Sequence, residues 1–184
     1  MLIFISGGVR SGKSTFAEQL AVEKSKTNTV HYIATSMRND IEMRERIKKH
    51  RERRQNSSAH WITWEIEKDI SFLHEQIKDS EVMVFDCLTT YVNNNLFTFK
   101  NGSYVLLTEC ERKRLCRSIE RSFQLLQQNR TLIVVSNEIF YDRQFYNDEA
   151  TFMYTQFLGN VHQRIVQIAD EAYLCENGIP LRMK

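Results

Sequence analysis

Gly7-Gly8-Val9-Arg10-Ser11-Gly12-Lys13-Ser14 is the stretch that decides the fold of this chain. It satisfies the pattern G-x-x-x-x-G-K-[ST] at every fixed position. Upstream, Met1-Leu2-Ile3-Phe4-Ile5-Ser6 is a short apolar run; downstream, Thr15–Ala21 carries Phe16 and Leu20 at helical spacing. Strand, glycine-rich loop and helix, in that order, form the setting in which such a loop cradles a nucleoside triphosphate. Gly7, Gly8 and Gly12 keep Cβ atoms out of the path of backbone N–H groups toward phosphate oxygens. The helix that follows adds unsatisfied N–H groups and the positive end of its dipole. Lys13 is expected to reach the β- and γ-phosphates. Ser14, with Thr15 alongside, is expected to place a hydroxyl on Mg²⁺.

Working outward, 184 residues suffice for one α/β domain with a real core, expected to span residues 1–184. Apolar runs alternate with helical patterns, which predicts a mostly parallel sheet with crossover helices. The predicted strands are Leu2–Ile5, Val30–Ala34, His60–Glu65, Val82–Phe85, Leu132–Ser136 and Ala172–Cys175. Asn177-Gly178 is a hairpin signal, so Ile179–Met183 is expected to return antiparallel. The predicted helices are Lys13–Lys24, Asp40–Arg53, Ile70–Lys78, Thr108–Gln128 and Asp148–Ile168. In the last, Phe152, Phe157, Val161, Ile165 and Ile168 form a stripe read as core packing.

Lys and Arg total 25 against 23 Asp and Glu, a net charge of +2, so charge makes no case for a nucleic-acid partner. No apolar run approaches the ~20 residues needed to span a bilayer, and Met1–Ser6 is too short for a secretory core. Cys87, Cys110, Cys116 and Cys175 lack C-x-x-C pairing, which argues against a zinc site and fits a reducing cytoplasm.

Two further elements bear on a phosphate site. Val82-Met83-Val84-Phe85-Asp86 is an apolar strand ending in an acid, the setting in which an aspartate holds Mg²⁺. The alternative is that Asp86 caps a helix starting near Leu88. Thr89, Thr90 and Asn93-Asn94-Asn95 either line the site or end that helix. Residues 37–54 hold eight Lys/Arg against four Asp/Glu. A solvated helix laced with i,i+4 pairs such as Glu42–Arg46 is the ordinary reading of this composition, and a basic face that holds phosphates is the other. Met43, Ile47 and His50 share one side of such a helix, placing His50 at the edge of a buried stripe among cations. Burial and neighbouring positive charge both favour a neutral, nucleophilic imidazole, whereas a lone histidine on a basic helix is most often a plain surface residue.

With these residues in place, the chain resembles the bifunctional adenosylcobinamide kinase/adenosylcobinamide-phosphate guanylyltransferase family of cobalamin biosynthesis. The matching segments run nearly end to end: Ser6–Ser14, Tyr32–Ser36, Glu42–Arg54, Trp61–Glu65, Asp86–Thr89, Val135–Glu138, Ala169-Asp170-Glu171 and Gly178. The loop G-G-x-R-S-G-K-S joined to E-M-x-x-R-I-x-x-H-R is far more specific than a bare phosphate loop. The resemblance implies a RecA-like P-loop NTPase fold, often assembled as a homotrimer, with GTP and ATP as substrates alongside a corrinoid. It implies two reactions: phosphorylation of the aminopropanol hydroxyl of adenosylcobinamide, and transfer of GMP from GTP through a covalent guanylyl-histidine. The family's nucleophile falls on His50, with Lys13 as its catalytic companion. Its nucleotide-contacting segments fall on Gly7, Gly8, Val9, Arg10, Ser11, Gly12, Lys13, Ser14 and Thr15 of the loop. They continue on Ala34, Thr35 and Ser36, on Arg51, Arg53 and Arg54, and on Glu65 and Asp86. Ser14 and Asp86 are the expected Mg²⁺ ligands.

The sequence departs from the family after Val135–Glu138. A glycine-rich G-x-G-I-V-P stretch is replaced by Ile139-Phe140-Tyr141-Asp142-Arg143-Gln144-Phe145, and Ala150–Phe157 lacks the usual Arg and Asp. In Gly159-Asn160-Val161-His162-Gln163, His162 stands where Asn is usual and is read as a helix residue. These changes cluster in one region and point to an altered corrinoid pocket or a lost half-reaction. The competing expectations are a P-loop kinase or nucleotidyltransferase with another acceptor, and a non-catalytic GTP-binding paralogue.

Overall fold

The structure, a computed structural model, describes residues 1–36, 48, 50–100, 102–140 and 149–184. Its strands are β1 (Leu2–Gly7), β2 (Thr29–Ala34), β3 (His60–Glu65), β4 (Val82–Asp86), β5 (Phe97–Lys100), β6 (Ser103–Leu106), β7 (Thr131–Asn137), β8 (Glu171–Glu176) and β9 (Ile179–Arg182). Its helices are α1 (Lys13–Lys24), α2 (Leu73–Gln76), α3 (Leu88–Leu96), α4 (Glu109–Leu126) and α5 (Glu149–Ile168). Residues 50–55 are helical as well.

Seven strands form one sheet in the order β3-β2-β4-β7-β1-β8-β9. All neighbours are parallel except the final pair, where β9 returns against β8 through the Asn177-Gly178 turn. Both turn residues take positive φ, 50° and 83°, as a two-residue hairpin demands. The strands read as unbroken apolar runs because both faces are covered. On one face Leu2, Phe4, Ile33, Met83, Phe85, Leu132 and Val134 meet Leu88, Phe123 and Ile165 from α3, α4 and α5. The alternate residues Ile3, Ile5, Val30, Val84, Ile133 and Val135 meet Ala17, Leu20 and Ala21 of α1 on the other. This is the expected α/β architecture with a mostly parallel sheet and a C-terminal antiparallel hairpin.

Some expectations shift. The helix expected over Ile70–Lys78 shrinks to Leu73–Gln76; within the expected span Ile70, Leu73 and Ile77 are buried as three core anchors. Most of the helix expected over Asp40–Arg53 lies outside the described residues, including Met43 and Ile47. In α5, Phe157, Val161 and Ile165 are buried as the stripe requires, but Phe152, near the helix start, is 44% exposed. The sequence reading omitted the β5–β6 hairpin, a separate two-stranded sheet carrying exposed Phe99 and Tyr104. Helix α4 starts at a full capping box, with Thr108 accepting from Glu111 N–H and the Glu111 carboxylate accepting from Thr108 N–H.

Candidate active site

Every parallel strand from β1 to β8 ends at the same rim, and the residues that the sequence singled out cluster there. The loop leaves β1 at Gly7. A Cβ on Gly7 would overlap the Cys175 carbonyl oxygen and lie 2.5 Å from Ser11 Oγ, so the position admits only glycine. Gly12, at φ 88°, precedes α1 and packs against Gly178, whose N–H donates to the Ser11 carbonyl at 3.0 Å. The C-terminal hairpin therefore braces the loop. Gly8 is different, with open space where a Cβ would stand. Among the described residues no side-chain hydrogen bond caps α1, and the positive end of its dipole lies at the loop, where an anion is favoured. Lys13 is 5% exposed and its Nζ donates to the Gly8 carbonyl at 2.9 Å, curling the ammonium over the loop.

A cleft opens beside the loop, lined by Lys13, Ser14, Tyr32, Ala34, Ser36, His50, Arg51, Arg54, Thr63, Glu65, Asp86, Cys87, Thr90 and Asn137. A second hollow, lined by Arg10, Ser11, Gly12, Lys13, Ser14, Thr15, His50, Glu52, Arg53 and Asn56, adjoins it. Lys13, Ser14 and His50 belong to both. Ser14 and Asp86, the two expected metal ligands, thus face one space. Asp86 does not cap α3: that position is Cys87, which makes no side-chain capping bond. Instead Asp86 Oδ2 accepts from the Tyr32 hydroxyl at 2.7 Å. Burial, reinforced by the Asp86 charge, pushes the Tyr32 phenol well above its ordinary pKa, so it remains a donor. Burial likewise raises the Cys87 thiol, with Asp86 adding to the effect, which keeps it from acting as a thiolate.

Thr35 departs from expectation. It is fully buried and faces away from the cleft. Its hydroxyl donates to the Cys87 carbonyl at 2.8 Å and accepts from the Cys87 N–H at 2.9 Å. It thereby ties the end of β2 to the segment that carries Asp86. Val9 is 65% exposed, and neither it nor Gly7 nor Gly8 lines either hollow. Thr90 lines the cleft, whereas Thr89 works from behind, accepting from the Asn137 N–H at 2.7 Å. Asn94 donates to the Thr35 carbonyl at 2.9 Å and Asn95 to the Tyr91 carbonyl at 2.8 Å, so these two amides brace backbone.

His50 has an environment that the sequence reading captured only in part. Arg53 is adjacent, its NH2 2.8 Å from His50 Nδ1 and its NH1 donating to Thr15 Oγ1. The unforeseen neighbour is an acid, Glu18 of α1, whose Oε1 lies 2.9 Å from the same Nδ1. Arg53 and Arg54 both approach Glu18 at 3.5 Å. Arg54 is 6% exposed, with its guanidinium carbon 3.7 Å from the centre of the Tyr32 ring and 5.9 Å from that of Trp61. Arg51 pairs with Glu65 at 2.9 Å on the open side of the cleft.

His162 belongs to the core. Its Nε2 lies 2.7 Å from Ser136 Oγ, which is 3.0 Å from Thr89 Oγ1. Burial pulls its pKa down to about 4, so the imidazole is neutral. Phe140, from the departing segment, meets its ring edge-on at 5.4 Å. Residues 141–148 of that segment lie outside the described residues.

The comparisons with known proteins agree with this geometry. The cobinamide kinase/cobinamide phosphate guanyltransferase family model matches residues 3–183. This chain belongs to that family. Among its relatives are the bifunctional adenosylcobalamin biosynthesis protein CobU of Escherichia coli, 32% identical over 190 residues, and that of Salmonella typhimurium, 30% identical over 190 residues. Both matches cover all of this chain and all of the relative. CobP of Pseudomonas aeruginosa is 32% identical over 185 residues, covering 98% of this chain and 95% of the relative. Among solved structures, an ATPase from the type III secretion system of pathogenic bacteria and the ATP synthase subunit NeqB from Nanoarcheaum equitans each align with a TM-score of 0.54 at 12% identity. Each alignment covers 94% of this chain, and the chain spans 50% and 45% of theirs. That likeness concerns the fold: a P-loop NTPase sheet.

Sequence reasoning named most of the cleft but omitted Glu18, Tyr32, Thr63, Cys87 and Asn137 as site residues. Tyr32 and Asn137 could have been found by their position: they stand in the strands whose ends carry Ala34 and the rim.

Proposed function

We propose that this protein phosphorylates adenosylcobinamide with a nucleoside triphosphate, ATP or GTP, and then moves GMP from GTP onto the resulting phosphate through a guanylyl group carried on His50. The observation that carries this reading is that His50 lines both hollows together with Lys13 and Ser14 of the phosphate loop. A triphosphate seated on the loop therefore has an imidazole within its own compartment.

In this reading Lys13 and the N–H groups of the loop and α1 bind the phosphates and absorb charge on the departing pyrophosphate. The Ser14 hydroxyl and the Asp86 carboxylate would hold Mg²⁺. Both are hard oxygen donors facing one cleft, which suits that ion. When bound, the ion would neutralise phosphate charge in both reactions. Arg51, Arg53 and Arg54 supply further positive charge around the nucleotide, and Ala34, Ser36 and Glu65 form the wall opposite the loop. Parking GMP on His50 divides one transfer into two displacements. A homo-oligomer, trimeric by resemblance, and a cytoplasmic setting complete the reading.

The test is the intact mass of the protein after incubation with GTP and Mg²⁺, for the wild type and His50→Ala. The expected result is a one-GMP increment in the wild type that is absent from the variant and is discharged by adenosylcobinamide phosphate. An increment that persists in His50→Ala removes His50 from the role. GTP binding without any increment in the wild type overturns the guanylyl-transfer half.

A further inference from the structure

We infer that Glu18 is a positioning residue of the guanylyl transfer: it holds the proton of His50 on Nδ1 and so leaves the Nε2 lone pair as the nucleophile. This rests on the reading of His50 given above and names the device that orients it.

The argument begins with burial. Glu18 points from α1 into a space where its side chain is 8% exposed, and a carboxylate there requires partners. It has three: His50 Nδ1 at 2.9 Å, Arg53 at 3.5 Å and Arg54 at 3.5 Å. A carboxylate oxygen only accepts hydrogen bonds. At 2.9 Å from Nδ1 the contact is attractive only if Nδ1 bears hydrogen, and a neutral ring then has its lone pair on Nε2. Arg53 makes the opposite demand. Its NH2 lies 2.8 Å from Nδ1 and 3.4 Å from Nε2, and a guanidinium only donates. Exposure decides between the two. The Arg53 side chain is 40% exposed, so its charge is screened, and it also bonds Thr15 Oγ1 and Glu18. Glu18 acts through a much drier medium, where a bare Nδ1 would leave two acceptors facing each other. Arg54, stacked on Tyr32, adds positive charge 3.5 Å from the same carboxylate oxygen without hydrogen-bonding it.

The chemistry follows. The Nε2 lone pair forms a bond to the α-phosphorus of GTP, and the bond from that phosphorus to the bridging oxygen breaks, its electron pair leaving with pyrophosphate. The ring, now substituted at Nε2 and protonated at Nδ1, is cationic, and the Glu18 carboxylate stabilises that charge. In the second displacement an oxygen of the acceptor phosphate attacks the same phosphorus, and the N–P electron pair returns to Nε2. No proton needs to leave the ring in either step.

Two measurements test the inference. The first uses nitrogen-15 NMR of the nucleotide-free wild type at alkaline pH, with the His50 signals identified by their loss in His50→Gln. A pyrrole-like Nδ1 and pyridine-like Nε2 are expected, and the reverse assignment overturns the inference. In Glu18→Ala, Arg53 is left to donate to Nδ1 and the assignment should invert. The second measurement follows GMP attachment from GTP and Mg²⁺ in a single turnover, with phosphorus-31 NMR of the adduct to locate the linkage. The expected linkage is Nε2. Glu18→Ala should slow attachment by about 10²–10⁴-fold, the scale on which a misplaced tautomer acts. The dissociation constant for GTP should move less than about threefold, since that scale of loss belongs to the transition state alone. Glu18→Asp, which keeps the carboxylate, should recover at least about tenfold of the rate. A merely structural role would shift GTP affinity together with the rate and would not be rescued by aspartate. A linkage at Nδ1, or attachment in Glu18→Ala within threefold of wild type, sinks the positioning role while leaving guanylyl transfer intact. A wild type that binds GTP without forming any adduct sinks the transfer and Glu18's part in it together, whatever the tautomer. The wild-type spectrum and linkage decide the matter even if the Glu18 variants fold poorly.

Discussion

Thr35→Val is the substitution for which the structure gives the sharpest expectation. Valine matches threonine in shape, so in this fully buried position the change removes a hydroxyl and adds no cavity. The hydroxyl serves both backbone groups of Cys87. The Cys87 carbonyl retains a second partner, the Tyr91 N–H at 3.1 Å, so it loses one bond of two. The Cys87 N–H loses its partner at a half-buried position on the cleft wall. A buried unpaired donor costs about 1–3 kcal/mol, and a lost bond to a group still satisfied costs about 0.5–1.5 kcal/mol. The expected destabilisation is therefore about 1.5–4.5 kcal/mol. For a chain of this length that is a fall in Tm on the order of 5–15 °C. Thr35→Ser supplies the contrast. It keeps both bonds and removes one buried methyl, worth about 1 kcal/mol. Urea unfolding of the three proteins should therefore rank wild type above serine above valine. The more hydrophobic substitution is the worse one, the reverse of what burial alone predicts. If Thr35→Val unfolds within 0.5 kcal/mol of wild type, or if serine is worse than valine, the tie between β2 and the Asp86 segment is not what holds this corner.

Two further predictions follow from the loop and the core. Gly7→Ala should abolish GTP binding or soluble folding, because the new methyl meets the Cys175 backbone, whereas Gly8→Ala should fold as wild type because its Cβ points into open space; equal melting temperatures for the two would refute the steric account. His162 has a pKa pulled from about 6.5 to about 4 by burial, so below neutrality the unfolded chain binds a proton that the folded chain refuses. Its contribution to stability is complete above pH 6.5 and falls as pH drops toward 4, by about 2 kcal/mol between pH 7 and pH 5. His162→Asn should flatten that part of the urea-stability profile relative to wild type, and parallel profiles would show that the proton is accommodated in the fold.

The fold was legible because it is written in strands buried on both faces. Such strands read as continuous apolar runs, and Leu2–Ile5, Val30–Ala34, Val82–Phe85 and Leu132–Ser136 all lie within observed strands. The phosphate loop was legible for a different reason: its chemistry is carried by backbone, and only certain residues let the backbone take that shape. The β5–β6 hairpin escaped because Phe97–Lys100 and Ser103–Leu106 are four residues each, with Phe99, Tyr104 and Val105 exposed, too short to make a period visible. Thr35 was placed in the cleft by its motif, though the hydroxyl turns inward. Strand alternation would have separated it from Ala34 and Ser36, which do line the cleft.

Glu18 shows where sequence reading stops. On α1 it looks like any exposed helix glutamate, four residues after Ser14 and between Ala17 and Leu20. Nothing within α1 reveals that the residue is buried, because the groups that bury it, His50, Arg53 and Arg54, arrive from a segment more than thirty residues away. The basic run over residues 37–54 was visible, but its charge was read as facing solvent or phosphate. In the structure part of that charge is turned onto one carboxylate. In the proposed reading, this division is how a helix so rich in arginine carries a nucleophilic histidine. Were Glu18 absent, the donors of Arg53, already 2.8 Å from Nδ1, would compete for the one in-plane lone pair of the neutral ring. Glu18 engages both guanidinium groups and the Nδ1 side of the ring at once, which on the proposed reading leaves Nε2 for the nucleotide while keeping positive charge close enough to meet the phosphates.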